Sequence, residues 1–334
     1  ELSKRHGPLF RLEFPTGSML LLGNHALVDE VCDEQRFRKA MHNVLLEARH
    51  IAGDGLFTAY DDEPNWGLAH RILMPAFGPL ALREMFPAML ELATQLVDRW
   101  ERLGPSVLHD VTDQMTRLTL DTIALCGFGF RFNSLYREDQ HPFVEAMLRS
   151  LREAGDRSRR PRVQTRMMGW ATRRFEADIA SMRGVVEQVI RERRADPQAP
   201  TDDLMARMLS GRDPVTGQAL DDANISNQIV TFLIAGHETT SGLLSFALYA
   251  LSRHPEALAR AREEVDRVIG NAPGTLPHFE QLAQLTYLDQ VLRESLRLWP
   301  TAPVFGMTPR EDTQIAGRYP VRAGENLLVL LPAL

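Results

Sequence analysis

Between Asp221 and His254 the chain carries a nearly unbroken run of helix-favouring and apolar residues, and the length of that run constrains the fold more than any other feature. Asp221-Asp222 offers a cap at one end, and His254-Pro255 offers a stop at the other. One helix between them is predicted to reach about 48 Å at 1.5 Å per residue, long enough to cross a whole domain. Residues 229 to 251 are mainly apolar, so a membrane span has to be weighed. His237-Glu238 stands at the centre of that stretch, where charge is most costly in lipid. A buried central helix is therefore expected.

Inside this rod lies Ala235-Gly236-His237-Glu238-Thr239-Thr240-Ser241, a patch of small, β-branched and polar residues rather than core fillers. Gly236 costs a helix about 1 kcal/mol relative to alanine, and it removes a side chain where a flat ligand could approach. Thr239 and Thr240 can bond back to the carbonyls of Ala235 and Gly236, which would loosen the helical ladder and open it to a bound molecule or water. The patch is predicted to form a groove. Its plainer alternative is a tolerated polar stretch facing a cavity or solvent.

The remainder is helical in pattern. Amphipathic stretches run over Ala81 to Leu103, Val111 to Leu125, Phe143 to Glu153 and Arg173 to Arg194. Asp61-Asp62-Glu63-Pro64 predicts a helix start that places Trp66 and His70 at i and i+4, on one face. From Leu9 to Leu22, alternation of Phe10, Leu12 and Phe14 with Arg11 and Glu13, followed by Pro15-Thr16-Gly17, predicts a β-hairpin. Gly155 to Gln164, rich in arginine and broken by Pro161, is expected to be a solvated loop, and Asp196 to Asp202 a second one. A mainly α fold with a small β region follows. No fixed-period repeat is visible, which disfavours a solenoid.

Composition narrows the function. A net charge of −6 lacks the positive field that nucleic-acid binding needs. The two cysteines, Cys32 and Cys126, are too few for a disulfide framework and have no metal-ligand spacing, so a reducing cytoplasm fits best. The chain opens on Glu1-Leu2-Ser3-Lys4 with no targeting segment, and its last apolar run, Asn326 to Leu331, is expected to be a strand without covering structure. Both ends suggest a fragment.

Glu294 and Arg297 are spaced i, i+3 on a helical stretch and can pair. The spacing alone is weak, because Glu264-Val265-Asp266-Arg267 shows it too, where an ordinary solvated pair is expected. After Arg297, Leu298-Trp299-Pro300-Thr301-Ala302-Pro303 stops the helix and should send an extended segment back towards the core.

The Ala-Gly-x-Glu-Thr-Thr motif in a long helix, followed by Glu-x-x-Arg, a Trp-Pro and a second proline, resembles the cytochrome P450 superfamily. Ala52-Gly53-Asp54-Gly55-Leu56-Phe57, Met115 to Thr122 and Phe232 to Gly242 resemble more narrowly the bacterial fatty-acid hydroxylases fused to their own reductase. The resemblance covers essentially the whole chain. It implies that residues 1–334 are an incomplete P450 heme domain, truncated at both ends, with heme against the central helix at Ala235 and Gly236. It further implies that Thr239 is the oxygen-side threonine and Glu238 its acidic neighbour, that Trp66 and His70 reach a heme propionate, and that Phe57 and Ala302 line the substrate pocket. Glu294 and Arg297 match a buried ion pair below the heme.

The implied activity is hydroxylation of an apolar, fatty-acid-like substrate with O2, using electrons from NADPH through FAD and FMN of a flavin reductase, fused or separate. Iron in this family is held by a cysteine thiolate. Neither Cys32 nor Cys126 lies in the glycine-rich loop the family uses, so the ligand is expected beyond Leu334, with both cysteines as buried small hydrophobes. A heme isomerase or peroxygenase on the same fold would usually lack the Glu238-Thr239 pair. A heme-free helical binding protein is the remaining alternative, if the gene ends at Leu334. In the fatty-acid hydroxylases an arginine and a tyrosine near the channel mouth hold the carboxylate, whereas the matching hairpin positions here are Gly17 and Leu21. Arg11 could substitute only if the hairpin turned it inward.

Overall fold

The computed structural model describes residues 2–14, 17–107, 110–198, 200 and 203–334. Helices α1 (Leu2–His6), α2 (His25–Val31), α3 (Asn43–Ala52), α4 (Pro64–Leu73), α5 (Pro79–Leu103), α6 (Val111–Phe128) and α7 (Pro142–Arg157) make up the first half. Then come α8 (Arg162–Met167), α9 (Gly169–Ala195), α10 (Leu204–Ser210), α11 (Asp222–Arg253), α12 (Pro255–Val268), α13 (Phe279–Leu282) and α14 (Thr286–Leu298). The strands are β1 (Leu9–Phe14), β2 (Gly17–Leu22), β3 (Phe37–Lys39), β4 (Val304–Pro309), β5 (Thr313–Ile315), β6 (Tyr319–Val321) and β7 (Leu327–Leu330). They form a sheet in the order β1-β2-β7-β4-β3 and a separate β5-β6 pair. The chain is mainly α with a small β region, as its periodicity predicts.

The long helix forms where its end signals place it. Asp221 caps it by accepting from the Asn224 amide at 2.7 Å, and Pro255 starts α12 immediately after the His254 break. Ile225, Ile229, Val230 and Leu233 of α11 are buried with Leu120, Ala124 and Phe128 of α6, Met147 of α7 and Val186 and Ile190 of α9. Each such side chain contributes about 1.5–3 kcal/mol by leaving water. The expectation of a buried helix needs correcting beyond Leu233. There His237, Ser241 and Ala247 are buried, but Ala235, Glu238, Thr239, Thr240, Phe246 and Tyr249 are exposed. One side of the helix is uncovered among the described residues. No helix there is long and apolar enough to cross a membrane.

In the sheet, β1 and β2 pair antiparallel from Leu9↔Leu22 to Phe14↔Gly17, which is the predicted hairpin; its turn residues Pro15 and Thr16 lie outside the described residues. The last apolar run is not left without cover. Strand β7 sits between β2, to which it is parallel, and antiparallel β4, with Leu327 and Val329 buried. The segment after Pro300 does return as an extended strand, β4.

Two further expectations are overturned. The arginine-rich stretch is not a loop from Gly155 to Gln164, because α7 continues to Arg157 and α8 starts at Arg162. Arg157 pairs with Glu153 at i, i+4 and 3.1 Å, which supports the last turn of α7, and Arg160 in the short turn that remains, residues 158–161, pairs with the same carboxylate at 2.9 Å. The break after Asp196 is non-helical where it is described, and residues 199, 201 and 202 lie outside the described set. Nor is Glu264 half of a solvated pair. It is 5% exposed and accepts from the backbone N–H groups of Tyr287 and Leu288, each at 2.9 Å, and from the Thr286 hydroxyl at 3.2 Å, whereas Arg267 stays 3.8 Å away. An acid on α12 thus caps the first turn of α14, where unpaired N–H groups favour negative charge.

Candidate functional site

At 3.6 residues per turn, Thr231, Ala235, Glu238 and Gly242 share one side of α11 within about 60°, with Thr239 on the flank. Two close contacts mark the limits of this side. A Cβ built on Gly55 would stand 2.0 Å from Thr231 Oγ1, and one on Gly242 would stand 3.1 Å from Thr301 Cγ2. The loop before Phe57 therefore crosses one end, and the segment containing Ala302 crosses the other. Between them about 16 Å of helix presents Ala235, Glu238 and Thr239 to the exterior. Phe57, 51% exposed, and Ala302, also exposed, follow closely in the chain on Gly55 and Thr301, the residues in contact with α11 at its two ends.

The Phe57 loop is held by polar residues of α11 that sequence reasoning missed. Gly53 turns with φ 56°, and the Asp54 carboxylate accepts from Asn224 Nδ2 at 2.9 Å, Asn227 Nδ2 at 2.8 Å and Asn65 Nδ2 at 2.6 Å. The Leu56 amide donates to Gln228 Oε1 at 3.0 Å. Burial opposes the charge on Asp54, yet the three amide donors outweigh it and keep the carboxyl below its ordinary range. Lys39 Nζ donates to the Phe57 carbonyl at 3.2 Å. A signal was available: Asn224, Asn227 and Gln228 are polar at i, i+3 and i+4 in the first turns of a helix whose next residues, Ile229, Val230, Phe232, Leu233 and Ile234, are mainly apolar.

Thr239 Oγ1 donates to the Ala235 carbonyl at 2.8 Å, as its position predicts. Thr240 makes no matching bond among the described residues, and α11 continues through the patch without interruption. Gly236 also departs from expectation. Its added Cβ would lie 3.1 Å from Ile123 Cγ1, so this glycine lets α6 and α11 approach and does not face the open strip. His237 points away from the strip and is fully buried. Its Nδ1 lies 2.7 Å from the Leu233 carbonyl, and its own carbonyl accepts from Thr119 Oγ1 at 3.0 Å. Burial lowers its pKa, so the ring is neutral, with Nδ1 assigned as the donor from this network.

On α4, Trp66 and His70 stack with ring centroids 5.1 Å apart and planes 14° from parallel, both half-buried. Glu294 and Arg297 form a forked pair at 2.6 and 2.7 Å, but they are 55% and 67% exposed rather than buried. Helix α14 buries only Ser295, so their face is uncovered among the described residues. Cys32, expected to be buried, is exposed at the end of α2, where the helix stops and the side chain meets solvent. Cys126 is buried against the Met85 carbonyl, 3.8 Å away, and burial pushes its thiol up to about 11. A flat heme fits the strip of α11, where Ala235 has no side chain beyond Cβ and Thr239 and Glu238 supply polar groups. Neither cysteine stands on that strip, and the described residues hold no cluster of three or more His, Cys, Asp or Glu able to bind a metal.

A helical body with a small sheet, and a central helix showing an acid-threonine strip between two crossing segments, is the architecture that the motifs imply. The cytochrome P450 family profile matches residues 1–334, and the chain belongs to that family. It is 51% identical over 328 residues to the bifunctional cytochrome P450/NADPH–P450 reductase 2 of Bacillus subtilis, covering 98% of this chain and 31% of that protein. A bifunctional cytochrome P450/NADPH–P450 reductase of Fusarium oxysporum is 48% identical over 99% of this chain and 31% of its own length. A self-sufficient cytochrome P450 monooxygenase of Aspergillus niger is 48% identical over 99% of this chain and 30% of its own length. The chain thus spans about a third of the curated relatives it matches.

Proposed function

We propose that this chain is the heme-binding part of a monooxygenase that hydroxylates an apolar, fatty-acid-like substrate with O2, in the cytoplasm, using NADPH-derived electrons passed through FAD and FMN of a reductase. The observation that carries this is the strip of α11 in which Thr239 and Glu238 stand exposed between the Phe57 loop and the Ala302 segment. Relatives that combine a P450 with an NADPH–P450 reductase support the electron source.

Bound through a cysteine thiolate, heme supplies dioxygen activation, and the thiolate's electron donation favours O–O cleavage. Cys126 is buried against the Met85 carbonyl with its thiol pushed up to about 11, and Cys32 is exposed at the end of α2, so neither is placed to supply that thiolate and a cysteine outside these 334 residues would. The chain's own residues supply position and protons. Trp66 and His70 present N–H donors for the cofactor's carboxylates. The Thr239 hydroxyl gives its proton to the Ala235 carbonyl, which leaves its oxygen lone pairs facing the open side as an acceptor. Glu238, exposed beside it, holds or passes on a proton. Phe57 and Ala302 limit how a substrate lies.

In the full-length protein the reduced carbon-monoxide complex should show the red-shifted band of a thiolate-ligated heme. Thr239→Ala should keep that band but lower the product formed per NADPH consumed, on the order of tenfold or more, with the electrons going to peroxide and water. Unchanged coupling would remove Thr239 from the proton path.

A further inference from the structure

The helix that carries Trp66 and His70 is seated by two unlike kinds of contact, apolar burial and directional hydrogen bonds, one of which, Asn65 Nδ2 to the Asp54 carboxylate at 2.6 Å, holds its first turn. Leu68, Ala69, Ile72 and Leu73 are buried in the main core and occupy an arc of about 140° of α4. Apolar burial sets which side of the helix faces the core, but because it is non-directional it fixes the roll less sharply than a hydrogen bond does. A directional contact stands on the flank between that arc and the Trp66–His70 edge. Arg71 Nε donates to Asp213 Oδ1 at 2.6 Å, and its Nη2 donates to Oδ2 at 2.8 Å.

Asp213, 1% exposed, is itself fixed in the turn between α10 and α11. It accepts from the Thr216 hydroxyl at 2.6 Å and the Thr216 amide at 3.1 Å, and its own amide donates to the Gln218 carbonyl at 2.8 Å. Two glycines make room for the fit: an added Cβ would lie 2.8 Å from Arg71 Nη1 at Gly67 and 2.7 Å from Ile72 Cγ2 at Gly211. The Arg71 guanidinium holds the Asp213 carboxyl well below the usual carboxylate range despite its burial.

We propose that the Arg71–Asp213 fork is a positioning pair that sets the roll of α4 and thereby aims Trp66 and His70 at the heme edge. This rests on the heme reading given above. A roll of about 20° carries a side-chain tip through about 2 Å, more than a hydrogen bond tolerates. The fork resists that roll because two parallel N–H···O bonds fix the direction of the guanidinium, which a single ammonium cannot do.

The test uses the heme-loaded full-length protein and measures the rate of heme transfer to excess apomyoglobin, alongside thermal stability. Asp213→Asn and Arg71→Lys should each speed heme loss on the order of tenfold. Trp66→Phe, which removes the indole N–H, should also speed it. The variant Trp66→Phe/His70→Phe should speed it further, and adding Asp213→Asn to that variant should change the rate little, because the pair acts through the two residues already removed. A multiplicative effect of that addition, or variants that lower the melting temperature without changing heme loss, overturn the proposal. If Trp66→Phe/His70→Phe leaves the rate unchanged, the heme role of the two residues fails and the role of the pair fails with it. Arg71→Lys keeps the charge and serves as the second variant if Asp213→Asn does not fold.

Discussion

At Gly55 an added methyl would stand 2.0 Å from the Thr231 hydroxyl and 2.9 Å from the Asn227 carbonyl, whereas at Gly236 it would meet the Ile123 side chain at 3.1 Å. The first neighbour pair includes rigid backbone of α11, and the second is a side chain that can shift. Gly55→Ala should therefore cost about 1–3 kcal/mol of stability and displace Phe57, while Gly236→Ala should be close to neutral as the gain in helix propensity offsets a small repacking. Denaturant unfolding of both variants checks this. Adding Thr231→Ala to Gly55→Ala should recover only part of the loss, since the Asn227 carbonyl remains in the way; full recovery would mean that the hydroxyl alone is the obstacle. Both glycines are visible in the sequence. Which of them faces the open strip is not, because that depends on the neighbour each one meets.

Helix α14 begins without a side-chain cap of its own, since Leu285 stands at its N-cap. Its free N–H groups are satisfied by Glu264 from α12 instead. Burial works against the charged carboxylate, but the Tyr287 and Leu288 amides and the Thr286 hydroxyl hold it below the ordinary glutamate value. A carboxyl depressed in the folded state adds stability above its unfolded pKa and loses it as pH falls through the folded one. Glu264→Gln should lower the melting temperature by a few degrees at neutral pH, and the gap to the parent should close below about pH 4. A gap that does not change with pH would show that charge is not what caps α14. The same i, i+3 spacing occurs at Glu264/Arg267, where Glu264 is buried, and at Glu294/Arg297, where both side chains are exposed among the described residues. Spacing along a helix says which side chains can meet; it does not say which neighbour covers them.

Across the whole molecule, the β1-β2 hairpin and the turn before β7 together decide whether a fatty acid would find an anchor. Arg11 donates to Ser18 Oγ at 3.1 Å and pairs with Glu325 at 2.5 Å, and Leu21 is buried in the sheet. With Arg11 held by Glu325, a free acid, its methyl ester and the alcohol of equal chain length should bind the intact heme protein within a few-fold of one another. A charge-assisted anchor, worth about 1.5–3 kcal/mol, would favour the acid by one to two powers of ten. A spin-state titration of all three ligands decides, and a strong preference for the acid would show that another residue supplies the anchor. The sequence by itself determined what rests on local forces: the ends of α11 through Asp221 and Pro255, the hairpin through its alternation, and the placing of Trp66 and His70 on one edge of α4. The tertiary structure alone decided what rests on contacts between distant segments. Asp54 meeting Asn224 and Asn227, Arg71 meeting Asp213 and Glu264 meeting the start of α14 join residues far apart in the chain. No periodicity encodes those meetings, because a side chain's partner across the fold is chosen by the packing of whole helices and not by its neighbours in sequence.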